Sequence, residues 1–270
     1  MPASNPRAVE KARTLDCDVV ILDLEDAVLP EAKDAAREAA VAAVRAGGFG
    51  SREVVVRVNG LDTPWGEADL KALSDTPPDA VLVPKVTGPR DVTAYASIFW
   101  GTIWAMIETA PALFALDAIA GASPRLAALV VGLNDLAREM GARQTPERTP
   151  FYAALSLTVA AARTHGLVAI DSVHNDIENL ESFAAACRQG ADFGFDGKSL
   201  IHPSHLAICN DVFSPDPREL AWSRAVIAAF DAPENAGKGA LRVEGRLAER
   251  LHRDQAVRLV EIAERIDARQ

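Results

Sequence analysis

Two carboxylates close apolar runs in this chain: Glu108 ends IWAMIE and Asp135 ends LVVGLND. Carboxylates at neighbouring strand ends can share one hard divalent cation. Mg2+ is commonly held by one or two carboxylates, with water and substrate oxygens completing its shell. The bland reading is that they cap helices or pair with Lys and Arg. A second acidic group, Asp23, Glu25 and Asp26, closes DVVILDLEDAV. Carboxylates there would hydrogen-bond the waters of such a cation. Arg57 interrupts the apolar run VVVRVN. A guanidinium in such a run must be paired, and its fork fits a carboxylate. A substrate satisfies that need, and so does a structural partner such as Asp23 or Glu25. Lys85 in AVLVPK also has two readings, a Schiff-base lysine or a cation that neutralises the acidic rim. Arg7 and Lys11 lie one helical turn apart, either as a phosphate-holding pair or as a solvated face. His202 is a base or a satisfied loop histidine. His165, His174, His205 and His252 have no metal spacing. No nucleophile elbow, P-loop or G-x-G-x-x-G is present.

Elements must bring these residues together. Seven apolar runs each end in a polar or charged group: 19–23, 54–59, 80–85, 103–108, 129–135, 167–172 and 193–198. Continuous apolar runs are buried on both faces, as in parallel strands covered by helices. Ligands bind at the carboxyl ends of such strands. Helices are expected between them, over 31–45, 67–74, 89–97, 111–120, 149–166, 176–189 and 204–210, and one more before the first strand, capped by Asn5 or Ser4. The regular alternation predicts a TIM (β/α)8 barrel over 1–213. Only seven strands are counted, so the first strand is expected to be missing, with a gap between the strands at 19–23 and 193–196. A C-terminal extension over 214–270 follows, expected to pack on a neighbouring subunit. It holds a helix over 218–230, a short strand over 241–243, a turn at Glu244-Gly245 and an amphipathic helix over 251–266.

The chain has 270 residues, close to the ~250 of one such barrel. Its formal net charge of −10 argues against nucleic acid or an anionic membrane as the main partner. No apolar run approaches the ~20 residues that cross a bilayer, and no signal peptide is read. Cys17, Cys187 and Cys209 are odd in number and scattered, so they read as packing in a reducing, cytoplasmic setting.

Six motifs in register, VVILDLEDAV, VVVRVNGLDTPWGEADL, LVPKV, WAMIETA, VVGLNDLA and FGFDGKSLIHP, resemble the citrate lyase β-subunit-like branch of the HpcH/HpaI aldolase superfamily. Within it the chain is most similar to malyl-CoA lyases and (3S)-malyl-CoA thioesterases. The resemblance implies a trimeric or hexameric barrel with Mg2+ held at Glu108 and Asp135. It implies substrate contacts at Arg57, Leu133 and Asn134, and coenzyme A phosphates at Arg7 and Lys11. Asn134 stands where many relatives have glutamate, which points away from citrate lyase proper. Glu249, in the tail, falls where relatives place an acidic residue that reaches a neighbouring subunit's site. The activity implied is Mg2+-dependent cleavage of a short carboxylated 3-hydroxyacyl-CoA such as malyl-CoA to acetyl-CoA and a 2-oxoacid. The alternatives are thioester hydrolysis with Glu249 as base, a pyruvate aldolase on free 2-oxoacids, and a catalytically silent partner subunit.

Overall fold

The computed structural model describes residues 1–268. Seven parallel strands lie side by side in chain order: β1 (Val19–Asp23), β2 (Glu53–Arg57), β3 (Ala80–Val83), β4 (Thr102–Ile107), β5 (Leu126–Val131), β6 (Val168–Asp171) and β7 (Gly197–Lys198). Helix α1 (Pro6–Ala12) precedes β1. Then α2 (Lys33–Ala46) follows β1, α3 (Gly66–Ser74) follows β2, and α4 (Pro89–Ile98) follows β3. After β4 come α5 (Ala110–Leu113) and α6 (Leu116–Ala120), and after β5 come α7 (Leu133–Met140) and α8 (Tyr152–Thr164). Helix α9 (Leu180–Phe193) follows β6 and α10 (Leu206–Phe213) follows β7. This is an α/β fold with the strand sequence of a TIM barrel whose sheet stays open: among the described residues, β7 and β1 do not pair.

Residues 1–3 lie along the free edge of β1. Pro2 forms a parallel bridge to Asp23. The Asp23 N–H donates to the Met1 carbonyl at 2.8 Å and the Ala3 N–H to the Asp23 carbonyl at 2.9 Å. Three residues thus cover the end of β1 that carries chemistry and satisfy its backbone groups.

Strand parity sorts the side chains. Val55, Ala80, Leu82, Trp104, Met106, Ala128 and Val130 pack into one cluster, with Val19, Ile21 and Ile170 against it. Side chains alternate between faces, so continuing each strand by two residues puts Asp23, Arg57, Glu108 and Gly132 on this interior face. The register pairs Asp23 directly with Arg57.

Two strand ends differ from expectation. β5 stops at Val131, and Leu133, Asn134 and Asp135 form the first turn of α7 instead of a strand end. β7 is only two residues, because Phe193 closes α9 through left-handed Gly194 (φ 91°).

The chain divides after Asn210, inside α10, and a second compact unit runs from Asp211 onward. It consists of α11 (Pro217–Asp231), the hairpin β8 (Ala240–Val243) and β9 (Arg246–Glu249), and α12 (Arg250–Asp267). Val226, Phe230, Val243, Ala248 and Ala256 form its core. The hairpin turn is Glu244-Gly245, both at positive φ (47° and 85°), as a two-residue turn matching strand twist requires.

Candidate active site

Arg57 ends β2 and finds its carboxylate one strand away. Its Nε donates to Asp23 Oδ1 at 2.7 Å and its Nη2 to Asp23 Oδ2 at 2.6 Å. Nη1 lies 3.1 Å from Glu25 Oε2. Asp23 is buried and also accepts the Glu25 and Ala27 N–H groups at 3.0 and 3.1 Å. Burial alone would raise the Asp23 pKa. The Arg57 guanidinium and those two N–H groups outweigh it and hold the carboxyl below its ordinary range. Burial works against the Arg57 charge too, but Asp23 and Glu25 keep it firmly protonated. The structural partner considered for Arg57 is therefore present, and it leaves part of the guanidinium uncommitted.

Glu25 bridges two cations. It pairs with Arg57 on one side and with the Lys85 ammonium on the other, which also reaches Asp26 at 3.2 Å. Burial raises the Glu25 pKa against the pull of these cations. Lys85 thus neutralises the acidic rim, and its pKa is raised by the carboxylates despite partial burial.

Glu108 follows β4 and is 1% exposed. Its Oε1 accepts the Lys85 N–H at 2.8 Å. Burial pushes its pKa up to about 7; that N–H pulls it down, and the nearby charge of Asp135 pushes it up again. Asp135, in the first turn of α7, has one oxygen 2.5 Å from Arg138 Nη2. Beside it Leu133 is buried, and Asn134 joins an amide network with Asn175 (2.7 Å) and Gln144 (2.9 Å).

Arg7 and Lys11 stand exposed on α1, which Asn5 caps through the Ala8 N–H at 3.1 Å. Glu249 is exposed at the head of α12, in the second unit. So the structure gathers Asp23, Glu25, Asp26, Arg57, Lys85 and Glu108 into one charged cluster, with Asp135 close enough for its charge to act on Glu108.

Residues 1–203 match the model of the HpcH/HpaI aldolase/citrate lyase family. The chain belongs to this family. It is 46% identical over 253 residues to a (3S)-malyl-CoA thioesterase of Cereibacter sphaeroides, covering 93% of this chain and 88% of that protein. It is 33% identical over 298 residues to an L-malyl-CoA/beta-methylmalyl-CoA lyase of the same organism, covering 99% and 94%. Among solved structures, the protein CitE of Mycobacterium tuberculosis in complex with magnesium, acetoacetate and coenzyme A superposes with a TM-score of 0.79 at 30% identity, covering 98% of this chain and 96% of that one. As a member of the HpcH/HpaI family the chain is an enzyme, a CoA-ester lyase or thioesterase of the citrate lyase β-like kind.

The donors present suit magnesium, which the CitE structure holds. Among the described residues no three His, Cys, Asp or Glu side chains converge into a closed cage. A pair of carboxylates, one raised toward neutrality chiefly by its burial, is the hard, incomplete oxygen set that Mg2+ takes up with water and substrate. Beside the second Glu108 oxygen, Gly132 leaves a space that a Cβ would fill.

Sequence reasoning missed two contributors. Lys33 is buried, donates to the Leu24 and Glu25 carbonyls at 2.8 and 2.7 Å, and lies 5.4 Å above the Trp65 ring. It ties down the loop that carries Glu25 and Asp26. As the first residue of an Ala-rich helix it carries no signal distinguishing it from a surface lysine. Gly132 was read as part of a strand, and only the packing shows what it makes room for.

Proposed function

We propose that this enzyme is a Mg2+-dependent thioesterase acting on a short carboxylated 3-hydroxyacyl-CoA such as (3S)-malyl-CoA. The observation that carries this reading is the 46% identity to a (3S)-malyl-CoA thioesterase across nearly the whole chain. Hydrolysis builds negative charge on the thioester oxygen as water adds. Arg57 is charged, paired on one edge with Asp23, and already fixed, so its remaining N–H groups stabilise that charge or hold the substrate's carboxylate without reorganising. Glu108 and Asp135 would hold Mg2+, which when bound supplies Lewis-acid polarisation of the substrate's oxygens. Asp23, Glu25, Asp26 and Lys85 set the charge around that pair. Leu133 and Asn134 line the first turn beside Asp135. Arg7 and Lys11, two exposed cations one turn apart, suit the coenzyme A phosphates. Glu249 is the base that takes the proton of the attacking water, delivered from a neighbouring subunit of a homotrimer or homohexamer.

The 33% identity to malyl-CoA lyases supports a second reading, carbon–carbon cleavage of the same substrate. In it the same guanidinium stabilises an alkoxide and an enolate. One assay separates them: purified protein, (3S)-malyl-CoA and Mg2+, with free thiol and glyoxylate followed together. Thiol without glyoxylate is expected. Glyoxylate without thiol supports the lyase, and neither product would overturn both.

A further inference from the structure

Glu108 lies between two strands that each shape its carboxylate. On the β3 side the Lys85 N–H donates to Oε1 at 2.8 Å. Lys85 adopts φ 51°, one of three non-glycine residues at positive φ among those described. A side chain with a Cβ enters that region at a cost and stays only where its surroundings hold it. Here the ammonium is held by Glu25 and Asp26. On the β5 side stands Gly132. Its φ of −114° is open to any residue, so its backbone does not need glycine. The space does: a Cβ there would lie 2.6 Å from Glu108 Cβ and 2.9 Å from Met106 Cε, and would run into Glu108 Oε2.

We propose that Lys85 and Gly132 are positioning residues: the left-handed main chain of Lys85 and the missing Cβ of Gly132 together fix the direction of the Glu108 carboxylate. This rests on the reading of Glu108 as a magnesium ligand. Lys85 then does more than neutralise charge. Its backbone aims Glu108, and its side chain, through Glu25, meets Arg57, so one residue sets both ends of the site.

The test is calorimetric titration of Mg2+ into wild type and variants, corrected for folded fraction from thermal melts, with kcat and KM measured in parallel. Lys85→Gly keeps the N–H and adopts positive φ freely. Lys85→Ala keeps a Cβ but loses the ammonium that holds it there. Alanine should therefore weaken Mg2+ about tenfold or more, and glycine far less, the range over which supporting groups tune a metal site. Gly132→Ala should weaken Mg2+ by a similar factor and lower kcat with little change in KM for the acyl-CoA. If Gly132→Ala does not fold, Gly132→Ala with Met106→Ala removes one obstruction and keeps the one on Glu108. Equal affinities for the alanine and glycine variants at position 85 overturn the role of Lys85. Wild-type affinity in folded Gly132→Ala overturns that of Gly132. Glu108→Ala separates this from the underlying reading: if it binds Mg2+ like wild type, Glu108 is no ligand, whatever the other variants do.

Discussion

The fold changes the protonation of Glu108, and metal-free protein makes that measurable. Its pKa rises from the ordinary 4.5 to about 7, chiefly through burial. Between those values the folded chain binds a proton that the unfolded chain has released, so stability falls as pH rises. The contribution is complete below 4.5 and lost above about 7. Its size is a few kcal/mol at most, at about 1.4 kcal/mol per unit of separation. Urea midpoints in chelator at the two ends of that window should differ more for wild type than for Glu108→Gln. Equal differences would remove Glu108 as the cause. If Glu108 is a ligand, Mg2+ favours the ionised, folded form and should flatten the dependence. At this scale much was legible. An arginine in an apolar run demanded a carboxylate, and Asp23 supplied it with both oxygens. Lys33 and Gly132 were not legible, because their roles are a pair of carbonyls and an empty volume, and neither leaves a mark on residue type.

Each element was found wherever an apolar run and its punctuation agreed. β3 ends where Pro84 removes a donor, and α2 ends at Gly47 (φ 61°), as a glycine cap should. Helix α7 as a whole was not expected, because Gly132 offers no side-chain cap and the apolar run of β5 leads into Leu133 without a break. Leu133, Leu136 and Ala137 do carry helical spacing, and all three are buried. The last two strands hold a feature the sequence did not suggest. Arg148 Nη1 reaches both oxygens of Asp171 at 2.8 and 2.7 Å, and Lys198 Nζ reaches Oδ2 at 2.8 Å. Burial lowers the Lys198 pKa against the pull of Asp171. Ile170 packs inward, so Asp171 faces outward, toward α9, whose Ala186 carbonyl accepts Arg148 Nη2 at 3.1 Å. This triad therefore clamps β6 and β7 to a helix without facing the interior cluster. Arg148→Met should cost about 3 kcal/mol, as breaking a buried pair does, and lower the melting temperature. The kcat/KM of the folded enzyme should not change. A large kinetic loss at unchanged stability would place the triad in the site instead.

On the scale of the whole molecule the candidate residues are divided between two compact units. The barrel unit carries Arg57, Glu108 and Asp135, and the unit beginning at Asp211 carries Glu249. Among the described residues no helix is long and apolar enough to cross a membrane. If Glu249 acts on a neighbour's substrate, two different inactive variants should repair each other. Glu108→Ala leaves a working Glu249 on a dead barrel, and Glu249→Ala leaves a working barrel without its base. Each alone should be inactive. Co-expressed, they form mixed rings in which some intact barrels sit beside an intact Glu249. Random mixing in a closed head-to-tail ring gives about a quarter of the sites both parts, so activity should return to about that fraction of wild type. Rings bearing both substitutions on every subunit stay silent and set the baseline. If Glu249 served its own barrel, no mixture would contain a complete site and co-expression would restore nothing. Light scattering on the same samples must show an assembly larger than one chain. Recovered activity from a monodisperse monomer would contradict delivery between subunits.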